Sequence, residues 1–202
     1  TLVVLLGAGL PFLQADFSIA SRDALPPDDE TRLGFELMDE KWPEDAVNAA
    51  MVVIDFDGED PLLEDNIVAV HLWMKNYLND TRVLDTFGYA LPESTMNQSE
   101  VLQFWQTPDE FLDNETIAKR EYFRAQFLSN NITYLIFSLD GPITGEDSRS
   151  FVSDLRAERG ELLDDLTMGD EGVLMVAGFA AYSLDVLDLS LIHISEPTRR
   201  PI

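Results

Sequence analysis

Ala49-Ala50-Met51-Val52-Val53-Ile54-Asp55-Phe56 is an almost uninterrupted apolar run rich in β-branched residues, and it predicts a buried strand. Asp57-Gly58 turns the chain behind it, and Asp60-Pro61 opens a helix with proline in its first turn. Leu63, Ile67, Val70, Met74 and Tyr77 then recur at three- and four-residue steps, the pattern of an amphipathic helix running to about Asn79. Arg82 to Leu91 reads as a second strand closed by Pro92, and Asn131 to Leu139 as a third, stopped by Asp140-Gly141-Pro142. Glu146 to Leu166 is a second amphipathic helix with Phe151, Val152, Leu155, Leu162, Leu163 and Leu166 inward, and Gly172 to Phe179 a fourth strand.

Between the second and third strands, polar residues 93–98 precede Val101, Phe104, Trp105, Phe111, Leu112, Ile117, Tyr122, Phe123 and Phe127. They suggest two short helices in an aromatic-rich insertion at about 94–129. The order β-α-β-(insertion)-β-α-β is the split βαβ, ferredoxin-like pattern (βαββαβ) of the α+β class. Two helices are expected on one face of a four-stranded antiparallel sheet. These elements occupy residues 48–188.

The flanks differ in kind. Residues 1–13 (Thr-Leu-Val-Val-Leu-Leu-Gly-Ala-Gly-Leu-Pro-Phe-Leu) carry no charge, and a membrane-spanning helix needs about 20 apolar residues. Residues 1–14 are read as the end of a first transmembrane helix whose start lies upstream. A lead-in segment, 15–47, follows. Pro26-Pro27-Asp28-Asp29-Glu30 sets a helix N-terminus there, Leu33, Leu37 and Met38 follow at helical spacing, and Pro43 ends that helix near Trp42. At the other end, Leu189 to Arg199 resembles the translation of a transposase adapter used in DNA library preparation, so residues 189–202 are read as non-native. His193, Arg199 and Arg200 then carry no functional weight. His71, alone in an apolar-periodic helix, is read as structural.

Composition narrows the partners. The chain has 202 residues, no Cys and a formal net charge of −25, from 38 acids against 13 bases. Nucleic acid is excluded, since phosphate binding needs a basic face. Disulfides and thiolate metal sites are absent. An acidic, Lys-poor surface suits salty surroundings, where screening weakens self-repulsion. The single base in the ten residues after Leu13 favours the outer side of a membrane, because Lys and Arg concentrate on cytoplasmic flanks.

The chain resembles the first extracytoplasmic (porter) domain of MMPL/RND-superfamily transporters. The resemblance spans about Leu2 to Asp188. It rests on Leu25-Pro26, Glu30, Arg32, Gly34, Phe35, Leu37-Met38 and Trp42-Pro43 leading to Met51-Val52-Val53-Ile54, and on Val176-Ala177-Gly178, Ala180-Ala181 and Asp185. The resemblance implies a multi-pass protein of the inner or plasma membrane, moving lipids or other hydrophobic compounds on an ion gradient. It implies a non-enzymatic domain that guides substrate and changes shape between states. The coupling carboxylates of such transporters lie in later membrane helices. Implied partners are the bilayer, a lipid or hydrophobic substrate and the rest of the transporter. Phe104, Trp105, Phe111, Tyr122 and Phe123 are candidates to line a substrate path; packing of the insertion on the sheet is the competing reading. No catalytic, cofactor-binding or metal-binding residue is assigned.

Two other readings stand beside this one. The domain could be a membrane-anchored or secreted binding module. Alternatively, Ile54-Asp55-Phe56-Asp57-Gly58 imitates the phosphoryl-transfer motif of haloacid-dehalogenase-like phosphatases, with Asp55 as nucleophile and Asp57 as acid/base. Against the latter, Glu59 stands where Thr or Val is expected, and Gly169-Asp170 precedes a strand instead of following one. The nearest lysines, Lys75 and Lys119, also fall inside expected helices. As a calcium loop, Asp55 to Asp60 lacks the spacing of Gly and Glu that an EF-hand requires. Four N-x-Ser/Thr sequons begin at Asn79, Asn97, Asn114 and Asn131; they fit an exposed extracytoplasmic domain, Asn131 least because it opens a strand.

Overall fold

The computed structural model describes residues 48–143 and 145–186, with positions 26, 28, 32 and 33. Residues 1–14, most of the lead-in 15–47 and the tail 189–202 therefore lie outside the described residues. The described chain is a mixed α+β fold on a five-stranded antiparallel sheet. In chain order it runs β1 (Ala49–Asp55), α1 (Glu64–Tyr77), β2 (Val83–Phe87), α2 (Gln98–Gln106), a single 3-10 turn (Asp109–Phe111), α3 (Asn114–Phe127), β3 (Leu128–Ser129), β4 (Ile132–Leu139), α4 (Glu146–Asp165) and β5 (Val173–Gly178). Residues 179–186 are helical.

The strand order is β2-β4-β1-β5, with the short β3 pairing β4 beside this path. β1 is hydrogen-bonded antiparallel on both sides: Val52 lies between Leu135 and Val176, and Val53 between Tyr134 and Met175. Alternate residues of a strand point to opposite faces, so each row across this register belongs to one face. Ala50, Val52 and Ile54, with Leu135, Phe137, Leu139, Leu174 and Val176, make the buried face.

α1 and α4 both pack there, and they meet over Phe137. The Phe137 ring lies 5.6 Å from Trp73, 5.4 Å from Tyr77 and 5.7 Å from Phe151. Tyr77 and Phe151 close the triangle edge-on at 5.6 Å. Such edge-to-face aromatic pairs add about 0.5–1.5 kcal/mol each beyond their buried area. Acids in the first turn of α1, Glu64 and Asp65, and Lys75 in its last match the helix dipole.

Two buried asparagines fasten the ends of the sheet. Asn48 donates through Nδ2 to the Gly141 carbonyl and the Ser148 hydroxyl, both at 2.9 Å, holding the start of β1 to the start of α4. Asn66 on α1 donates to the carbonyls of Asp60 and Thr167 and accepts from the Thr167 N–H. That triad locks the α4–β5 loop onto the first turn of α1.

The elements depart from the sequence expectation in three places. β2 ends at Phe87, not Leu91. A Cβ at Gly88 would collide with Leu135, and the chain bends there through a Gly88–Leu91 bridge. β5 stops at Gly178, whose φ of +104° and close approach to the Ala49 carbonyl suit a residue without Cβ. The helical residues 179–186 then begin at Phe179. β3, two residues long, carried no periodic signal.

Replacing Asn66 with Ala is expected to lower the unfolding free energy by about 2–4 kcal/mol, because it strands buried partners on two loops. Asn76→Ala, on the exposed side of the same helix, is expected to cost about 0.5 kcal/mol or less. Urea unfolding of the two variants measures both.

Candidate functional site

Three features carry the chemistry: the aromatic insertion, the second face of the sheet, and the acidic turn after β1. The insertion starts at a capping box. The Asn97 side chain accepts from the Glu100 N–H (3.1 Å), and the Glu100 carboxylate accepts from the Asn97 N–H (2.8 Å). The helix so fixed, α2, turns Val101, Phe104 and Trp105 inward at i, i+3 and i+4. The Trp105 indole donates to the Tyr89 carbonyl (2.8 Å), and His71 Nδ1 donates to the next carbonyl, Ala90 (2.9 Å). Two ring N–H groups thus pin the bend at 88–91.

Phe104 contacts Trp105 and Phe123 edge-on, Phe123 stacks on Phe127 at 5.6 Å, and Phe127 reaches Tyr134 of β4 at 5.2 Å. Arg120 lies over the Phe104 ring and donates to the Thr107 carbonyl and the Asp109 carboxylate, stapling the 3-10 turn to α3. Arg124 lies over Trp105. Phe104, Trp105 and Phe123 are therefore interior rings of one packed block. Phe111 stands outside it, 73% exposed, and Tyr122, 61% exposed, rests edge-on against Phe123 at its margin. The five candidate path residues are split between a packed interior and the outer surface; they do not line one surface.

The second face of the sheet was not singled out by sequence reasoning. The register aligns Phe87, Ile136, Met51 and Ala177 in one row and Tyr134, Val53 and Met175 in the next. Ile132 and Val173 flank Asp55 in a third. A fourth row, Asp85, Ser138 and Ala49, lies at the other end of this face, so the two middle rows contain no charge while the outer two carry Asp55 and Asp85. Phe87, Ile132, Val173 and Met175 are exposed by 40–48%, while Met51, Val53, Tyr134 and Ile136 are partly buried. α3 touches the rim of this face at Tyr134, whose hydroxyl accepts from the Gln126 amide (2.8 Å). An antiparallel sheet covered on one side ordinarily turns polar residues to the other. Here only the outer rows do so, and the two middle rows are apolar. The signal lay in the run 49–56, which does not alternate, but only the pairing shows which residues share a face.

In the acidic turn the carboxylates serve the loop. Asp55 Oδ1 accepts from the Asp57 N–H (3.0 Å) and the Asn131 amide (2.7 Å). Asp57, at φ +49°, accepts from the Glu171 N–H (3.0 Å), while Gly169 N–H donates to the Phe56 carbonyl (3.0 Å). A Cβ on Gly169 would collide with Asp57, so the residue is glycine because two loops meet there. Among the described residues no three carboxylate or imidazole groups converge to hold a metal ion. Nor is any described helix long and apolar enough to cross a membrane.

No protein-family model matches the chain, and no curated protein is significantly similar to it.

Trp105→Ala is expected to cost about 3–5 kcal/mol of stability, whereas Phe111→Ala stays within about 0.5 kcal/mol. Calorimetry or urea titration checks the contrast. His71 makes a second prediction. Burial holds its pKa below the usual 6.5, and nearby Lys75 pushes the same way. The unfolded chain therefore takes up this proton first. Stability is full above about pH 6.5 and falls as pH drops from there to the lowered value, by at most about 1.4 kcal/mol per pH unit. The slope should vanish in His71→Gln.

Proposed function

We propose that this chain is a piece of a multi-pass membrane transporter of the MMPL/RND type, and that residues 48–188 are its first extracytoplasmic domain. The domain is read as a ferredoxin-like split βαβ with a helical insertion. The observation that carries this reading is the strand order β2-β4-β1-β5 with every pair antiparallel. Each β-α-β crossover then encloses one antiparallel strand, β4 in the first and β1 in the second. The lead-in pattern from Leu25 to Pro43 and the uncharged run 1–13 add support from the sequence.

The apolar second face fits this assignment. A domain that works alone gains nothing from an uncharged sheet surface. A domain seated among others in a transporter, or guiding an apolar substrate, does. Its role in this reading is to receive or guide a hydrophobic or lipid substrate and to shift between states as an ion gradient drives the membrane helices. It carries no catalysis and no cofactor. The binding-module reading draws on the same face. The phosphatase reading is disfavoured by β1, which pairs antiparallel on both sides where a doubly wound fold needs parallel neighbours.

The coding DNA downstream of Asp188 tests the assignment. A transporter requires several further apolar spans of about 20 residues and a second domain with the same strand order. An early stop codon with no further span would overturn it. A variant separates the role of the sheet face from the fold. Met51→Lys with Ile136→Lys should leave the 202-residue chain folded, and in the complete transporter it should abolish export. Undiminished export by that variant would contradict a role for the face.

A further inference from the structure

Eight asparagines occur in the chain, and four carry Ser or Thr two places on; at this Ser and Thr content chance would give about one. The structure divides the four sharply. Asn79 and Thr81 are both exposed, just beyond the end of α1. Asn97 and Ser99 are exposed at the start of α2; Asn114 is exposed as the first residue of α3, while its sequon Thr116 is partly buried in the first turn, held by the Asp113 cap. Among the described residues nothing hydrogen-bonds the side-chain amides of Asn79 or Asn114. Asn97 uses only its Oδ1, so its Nδ2 is left for solvent.

Asn131 is the opposite case. Its Nδ2 donates to Asp55 (2.7 Å). Its sequon hydroxyl, on Thr133, is buried and donates to the Phe127 carbonyl (2.9 Å). Both groups that the sequon must offer are already spent inside the fold.

We infer that Asn79, Asn97 and Asn114 are acceptors for an N-linked glycan and that Asn131 is not. The inference rests on the extracytoplasmic reading above. In the transfer, the Asn Nδ2 bonds to the anomeric carbon of an oligosaccharide. The bond broken joins that carbon to the phosphate oxygen of its polyprenyl-pyrophosphate carrier. The lipid pyrophosphate leaves, and one amide proton passes to a base of the transferase. The three acceptors border α1, α2 and α3, and none lies in the apolar rows of the second sheet face.

The test treats the purified folded chain with a single-subunit oligosaccharyltransferase and a lipid-pyrophosphate-linked oligosaccharide, and reads intact and peptide masses. The folded chain should gain up to three glycan masses, at Asn79, Asn97 and Asn114. Asn79→Gln should remove one of them. The urea-unfolded chain should gain a fourth, at Asn131. A folded chain that accepts none, or that accepts one at Asn131, overturns the acceptor assignment. Glycopeptide analysis of the protein from its own cells separates the two layers. Bare peptides there, with transfer intact in vitro and other exported proteins of the same cells glycosylated, overturn the extracytoplasmic reading instead.

Discussion

Everything in this domain hangs on β1, a strand hydrogen-bonded antiparallel along both edges. An apolar strand of this kind is stable only where both edges and at least one face are satisfied. Its partners come from far along the chain, so the register of β1 fixes where α1 and α4 must cross. It also brings together turns that are distant in sequence. The Asp57 turn meets the 169–171 loop at one end, and Asn48 meets the start of α4 at the other. The aromatic triangle on Phe137 is the packing consequence, since it exists only because β4 lies beside β1 beneath both helices.

The same register gives the second face of the sheet its two uncharged rows. A chain with 38 acids in 202 residues has ample polar material, yet two successive rows of this face are uncharged. The insertion strengthens the asymmetry. Its rings bury one another around Arg120 and carry the packing out to Tyr134, at the rim of the open face. The distinctive feature of the described residues is this surface. The Asp55 and Asp57 carboxylates, which imitate a catalytic pair in sequence, act as loop staples.

Much of this was legible in the residues. The apolar, β-branched runs at 49–56 and 131–139 announce strands by composition and length, and the spacing of Leu63 to Tyr77 announces a helix because one-sided burial imposes its period. The second strand was read too long, because Tyr89, Ala90 and Leu91 are as apolar as a strand and equally buried, but in a bend held by His71 and Trp105. β3 is too short to show a period. In the insertion, sequence could name the aromatic residues but not sort them. Phe104 and Phe111 look alike in a string, and only the staple from Arg120 to Asp109 puts one inside and leaves the other out. The open sheet face was illegible for a related reason: it is a property of four strands in register, and no single strand carries it.

The most direct measurement is the set of cross-strand proton contacts around Val53 in the isotopically labelled chain. Val53 should show short backbone contacts to both Tyr134 and Met175, in the antiparallel pattern, with its side chain on the same face as theirs. Contacts to one neighbour only, or the staggered pattern of a parallel pair, would contradict the central position of β1 and with it the open apolar face.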